Sequence, residues 1–230
     1  MSKRSKIAVI IILVLMIAGL IAYAVVGELS RRYVIKKHLM SVIITVEDDN
    51  ITLKDAAYYI IDVEKTIDGM AREYNPDDPK DFWKTHFKNS FDSVFTTDYA
   101  KKLVRELCIY DYIMEREAIK KGVSLTEYEI ECAKQDSASF YNNLSDYVIK
   151  KLDINRDNMD ETFERRALVK KYVENVAEEL EKQGYSEEEI SQLNYDGVLY
   201  QNTIKMQYNT SYSEKEFNKL PIGFITINYE

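Results

Sequence analysis

The pattern of apolar and polar positions divides this chain into two unequal parts. Ile7 to Val26 is an unbroken run of 20 residues without a charged side chain. No polar face exists along it, so it reads as a helix that is apolar on every side. Twenty helical residues span roughly 30 Å, the thickness of a bilayer's hydrocarbon core. Beyond it the pattern becomes that of a water-facing domain. Ser41 to Val46 reads as a short β-rich run (Val-Ile-Ile-Thr-Val), closed by the turn Glu47-Asp-Asp-Asn50. From Thr52 or Leu53 to about Tyr74, the positions Ala57, Ile60, Ile61, Ile67, Met70, Ala71 and Tyr74 recur at helical spacing. Asn75-Pro-Asp-Asp-Pro79 ends that helix, because proline cannot continue it and restricts the residue before it.

Trp83, Phe87, Phe91 and Phe95 stand four apart, which predicts one aromatic stripe on a helix over residues 81–97. Such a stripe is ordinarily core packing; left partly exposed, it is an apolar groove for a peptide. A helix from Asp98 to Lys121 follows, with Ala100, Leu103, Leu107, Tyr110 and Met114 inward and Gly122 placed to close it in a left-handed conformation. Two capping boxes then overlap, Ser124 with Glu127 and Thr126 with Glu129; only one can form, and either opens a helix reaching about Leu144. The longest helix is expected from about Met159 to Gln183, before Gly184, with a solvated charged face. A third box, Ser186 with Glu189, opens a short helix, and Leu220–Asn228 reads as a terminal β-strand.

Glycine (7) and proline (3) are scarce, which argues against a loop-rich or disordered chain. The charge is lopsided. Residues 1–40 hold seven cations against Glu28, a net of +6, which leaves −14 for the remainder of a chain whose total is −8. So acidic a domain makes a poor nucleic-acid partner, since phosphate contacts need a basic face. The basic segment Lys3-Arg-Ser-Lys6 before the apolar run keeps the N-terminus on the cytoplasmic side and sends the bulk across, although Arg31, Arg32, Lys36 and Lys37 after the run weaken that bias. Ala22-Tyr-Ala24 also fits a signal-peptidase site, but the run exceeds the usual apolar length of about 7–15 residues. The expectation is an uncleaved signal-anchor over residues 1–27, with Ile7 and Val26 bounding the span, a juxtamembrane linker over 28–40, and a helical extracytoplasmic domain over 41–230.

Candidate chemistry is sparse. The two histidines, His38 and His86, and the two cysteines, Cys108 and Cys132, fall in no metal-ligand or nucleophile spacing. Carboxylates abound, but acidic chains always contain pairs of them. No catalytic residue, metal or cofactor is assigned.

The run Glu117-Ala-Ile-Lys-Lys-Gly-Val-Ser-Leu-Thr-Glu-Tyr-Glu129, the phrase Asn50-Ile-Thr-Leu-Lys-Asp-Ala56 and the charged helix Asp160-Glu-Thr-Phe-Glu-Arg-Arg-Ala-Leu-Val-Lys-Lys-Tyr-Val173 resemble the N-terminal chaperone domain of the SurA and PrsA foldases, which is also similar to the C-terminal domain of trigger factor. The resemblance covers roughly 41–183, leaving 184–230 as an extension, and its motifs are mostly helix caps and helix faces. It implies a mainly α fold with one or two short strands. It also implies an ATP-independent holdase that binds unfolded or partly folded secreted and envelope proteins at the cell membrane. Many members carry a parvulin prolyl isomerase; the stretch after Gly184 is short for one and has no histidine, so that activity is not carried over. The low-specificity candidates for client contact are Trp83, Phe87, Phe91 and Phe95. The rival expectations are a non-catalytic envelope scaffold with one dedicated partner, and an enzyme whose site would show two carboxyls of raised pKa converging in a cleft.

Overall fold

A computed structural model describes residues 34–88 and 93–227. The expected anchor, Ile7 to Val26, lies outside them, and among the described residues no helix is long and apolar enough to cross a membrane. From Ile35 onward the chain forms one unit, and it is mainly helical.

Strand β1 (Val42–Val46) pairs antiparallel with β2 (Asp49–Thr52), and the turn between them puts Glu47 at φ +51. The register shifts between Val42 and Ile44, which lets the consecutive residues Ile43 and Ile44 both bury fully instead of alternating. Asp55 accepts from both the amide and the hydroxyl of Thr52, at 2.9 and 2.7 Å, and Thr52 Oγ1 accepts from Asp55 N at 3.2 Å. This reciprocal turn delays helix α1 to Ala57–Tyr74, a few residues later than the apolar periodicity alone predicts. A tight 3-10 turn over 35–37 buries Ile35. Residues 35–40 therefore belong to the folded unit and not to a linker, which corrects the 28–40 boundary.

The described residues of 81–97 do not form the expected helix. A 3-10 turn spans Pro79–Lys84, and β3 (His86–Lys88) pairs antiparallel with β4 (Ser93–Phe95). The sequence between the two strands, Asn89-Ser-Phe-Asp92, is rich in turn formers. Aromatic and β-branched residues on either side favour a pleat, so the fourfold spacing of the aromatics was coincidental.

Helix α2 (Thr96–Lys120) runs through the centre and buries Ala100, Val104, Cys108, Ile113, Met114 and Ala118. It closes as expected. Gly122, at φ +71, donates to Ile119 O at 3.0 Å while Val123 donates to Ala118 O at 2.9 Å, the paired bonding of a Schellman end. Helix α3 (Glu127–Asn142) starts from the Thr126–Glu129 box, so the Ser124–Glu127 alternative is the one not used. A short helix α4 (Asp146–Leu152), capped by Ser145, reverses the chain into α5 (Arg156–Lys182), capped by Asn155. Helix α5 ends with the same paired bonding, Gly184 N to Glu181 O at 2.9 Å and Tyr185 N to Leu180 O at 3.1 Å. Helix α6 (Glu187–Ser191) carries the third box.

The remainder completes the same unit. After a π-helical turn over 200–204 comes β5 (Thr210–Tyr212), which pairs antiparallel with β1 to make a sheet ordered β2-β1-β5. Helix α7 (Glu214–Lys219) follows. Leu220–Asn228 is not a strand in its described part: Pro221 supplies no amide donor and Gly223 turns at φ +93, so the segment folds back in turns.

Candidate functional site

Helices α3 and α5 pack antiparallel beside α2. Lys171, past the middle of α5, reaches Glu129 at 2.7 Å and Ser124 O at 3.0 Å near the start of α3, while Asp160 in the first turns of α5 accepts from Ser137, farther along α3, at 2.5 Å. Between them opens a cleft of about 760 Å³ whose floor includes Tyr110 and Asp111 of α2. Its apolar lining comes from Leu125, Tyr128, Ala133, Phe163, Ala167 and Val173, and its rim mixes Asp136, Glu129 and Glu174 with Arg166, Lys170 and Lys171. Tyr128 stands at the lip with 78% of its surface exposed. Lys171 and the Thr126 cap hold the Glu129 carboxyl down to about 2, so this part of the rim is fixed as an anion.

Under the cleft lies a polar and aromatic knot. Tyr58 packs against Phe140 and Phe163 with centroids 5.1 and 5.3 Å apart. The Arg166 guanidinium lies over the Tyr58 ring at 4.5 Å, and Arg165 over Tyr112 at 3.9 Å. Arg165 also pairs with Glu115 at 2.7 Å. Tyr59 OH donates to Asp111 Oδ2 at 3.0 Å, and Arg166 Nε stands 3.5 Å from the same oxygen. Burial pushes Asp111 up to about 7, against the pull of Tyr59 and Arg165, with Glu115 and Asp62 pushing in the same direction as burial. Burial also lowers the Arg166 guanidinium, so at 3.5 Å attraction recovers only part of the desolvation of either group. Asp62 is raised too, by burial, but does not line the cleft. Among the described residues, one raised carboxyl faces the cleft, not a converging pair.

The four aromatics singled out from spacing do not come together as one surface. Trp83 is fully buried, because the turn over 79–84 points it into the core. Phe95 is 46% exposed on β4, its ring 4.1 Å from that of His86. Phe87 lies on β3, and Phe91 falls outside the described residues. His38 pairs with Glu216 at 3.0 Å rather than lying in a linker. Both cysteines are free: Cys108 is buried, which pushes its thiol up, and Cys132 is half-buried in the cleft wall. Sequence reading missed the cleft itself. Its one legible trace was the helix cap at Thr126, which fixes where α3 begins along α5.

No protein-family model matches the chain, and no curated protein and no solved structure is significantly similar to it.

Proposed function

We propose that this chain is a membrane-anchored, extracytoplasmic, ATP-independent chaperone of the SurA and PrsA kind, without the isomerase, and that it holds unfolded polypeptide segments in the cleft between α3 and α5. The observation that carries this reading is the cleft's composition. It is open and about 760 Å³ in volume, with aliphatic and aromatic walls and both signs of charge on its rim. Such a lining accepts apolar side chains without selecting one sequence. The mixed rim leaves the amide and charged groups of a bound segment solvated or paired. The acidic balance of the domain keeps a loaded complex soluble, and an anchor raises its concentration where clients emerge. The extracytoplasmic setting rests on the apolar run and its basic leader.

The test is suppression of light scattering from several unrelated unfolded proteins by the detergent-solubilised full chain, without ATP, compared with Tyr128→Ser. Tyr128 is exposed, so the substitution spares the core. Suppression across unrelated clients, weakened in Tyr128→Ser, is the expected outcome. A folded wild type that suppresses none of them sinks the reading and leaves a dedicated envelope partner as the better account.

A further inference from the structure

Glu64 sits on α1 with none of its surface exposed, yet it forms no ion pair of 4 Å or less among the described residues. Its carboxylate is filled instead by one short stretch of chain about 160 positions away. Gly223 N and Ile225 N donate to Oε1 at 2.5 and 3.1 Å, and Thr226 N and Thr226 Oγ1 donate to Oε2 at 2.6 and 2.5 Å. Three of the four donors are backbone amides. Beside this anchor lies Trp83, fully buried, and Gly223 presses on its indole. A Cβ on Gly223 would stand 2.6 Å from two ring carbons, and the backbone there is at φ +93. Ile222 and Ile225 are buried on either side. The segment joins neither sheet; besides Glu64, Lys151 Nζ donates to Phe224 O at 2.9 Å, and Leu220 N donates to Glu216 O and Phe217 O of α7 at 3.2 Å.

This arrangement has the properties of a peptide receptor with its ligand in place. It recognises main-chain amides, which every residue but proline carries, so its polar half is indifferent to sequence. Its apolar half demands one small residue where the chain crosses Trp83. Because residues 221–226 belong to no strand or helix, the segment can leave without unravelling one.

We propose that the groove of Glu64 and Trp83 is a second polypeptide-binding site, filled in this state by the chain's own residues 220–226 and open, once these leave, to a client segment that presents glycine opposite the indole. This rests on the reading of polypeptide as the protein's ligand, but it concerns a different surface from the α3–α5 cleft.

The test uses the full chain and its single tryptophan as reporter. Gly223→Ala expels the segment from Trp83 while leaving the groove's own residues intact. The probe is a fluorophore-labelled peptide Leu-Pro-Ile-Gly-Phe-Ile-Thr-Ile, the natural sequence of 220–227. In the wild type, the tethered segment acts at an effective concentration on the order of millimolar and keeps a micromolar peptide out. We expect Gly223→Ala to retain helical circular dichroism, to show Trp83 more open to acrylamide, and to bind the peptide at least about tenfold more tightly than wild type does. Peptide binding should re-shield Trp83. Adding Glu64→Gln to Gly223→Ala should abolish the binding, as should alanine for glycine in the peptide. Any of three results overturns the proposal: Trp83 equally shielded in Gly223→Ala, an opened groove that takes up no peptide, or amide protection in α1 and α2 lost together with that of the segment. Aggregation suppression is not the readout, so failure of the α3–α5 cleft as client site leaves this test intact, and the converse holds too.

Discussion

The phenol of Tyr59 on α1 donates to the carboxylate of Asp111 on α2 at 3.0 Å, joining two helices through a pair of buried polar groups directly beneath the cleft. Among the described residues the hydrogen bond to Asp111 comes from Tyr59, with Arg166 a looser neighbour at 3.5 Å. Tyr59→Phe leaves the carboxyl short of a partner and should destabilise the protein by about 1–3 kcal/mol in urea unfolding. An unchanged midpoint would mean that water or Arg166 replaces the phenol at no net cost.

The same carboxyl gives a pH dependence of definite sign. Folding lifts Asp111 from 3.8 to about 7, so between those values the folded state keeps a proton that the unfolded state releases. Its contribution to stability is therefore full below about 4 and is lost as pH rises through about 7. Relative to Asp111→Asn, the wild type should lose stability between about pH 4 and pH 7 and level off above that. Parallel stability curves for the two proteins would show that Asp111 does not titrate in this window.

Two glycines should answer an alanine substitution with opposite signs. Gly69 lies exposed inside α1 and a Cβ there meets nothing within 4 Å; Gly69→Ala should stabilise by about 0.5–1 kcal/mol through helix propensity. Gly122 also has room for a Cβ but holds φ +71. Gly122→Ala should cost about 1 kcal/mol for backbone conformation alone. Thermal melts of the pair settle both.

The two capping boxes should differ in reach. Thr126→Ala removes the cap of α3, a helix that packs along α5 and buries Ala133 and Ser137; a global loss of about 0.5–2 kcal/mol is expected. Ser186→Ala uncaps α6, which buries no residue, so faster amide exchange around Glu189 with an unchanged global midpoint is the expected result.

Helix ends were legible because their chemistry is local. Gly122, Gly184 and the Ser186–Glu189 box needed only residues within a turn of each other, and the structure uses them as read. The choice of Thr126 over Ser124 was not legible, since it depends on Glu129 also meeting Lys171 from α5. Trp83 to Phe95 misled because a fourfold spacing over a short window fits a helix even where a 3-10 turn and two short strands form. Nothing in the sequence singles out Asp111 or Glu64; their burial is set by Tyr59 and by residues 223–226, partners that no spacing rule connects. The α3–α5 cleft exists only through the packing of helices and had no sequence trace beyond their caps.

Strand β1 lies between β2, made next, and β5, made much later, and the bond from Asn209 to Glu47 joins residues 162 positions apart. The first of these strands to be synthesised must therefore wait, one edge unpaired, for nearly the whole domain to be made before its sheet can close. Assembly of this domain is tied to the completion of its chain rather than to its beginning.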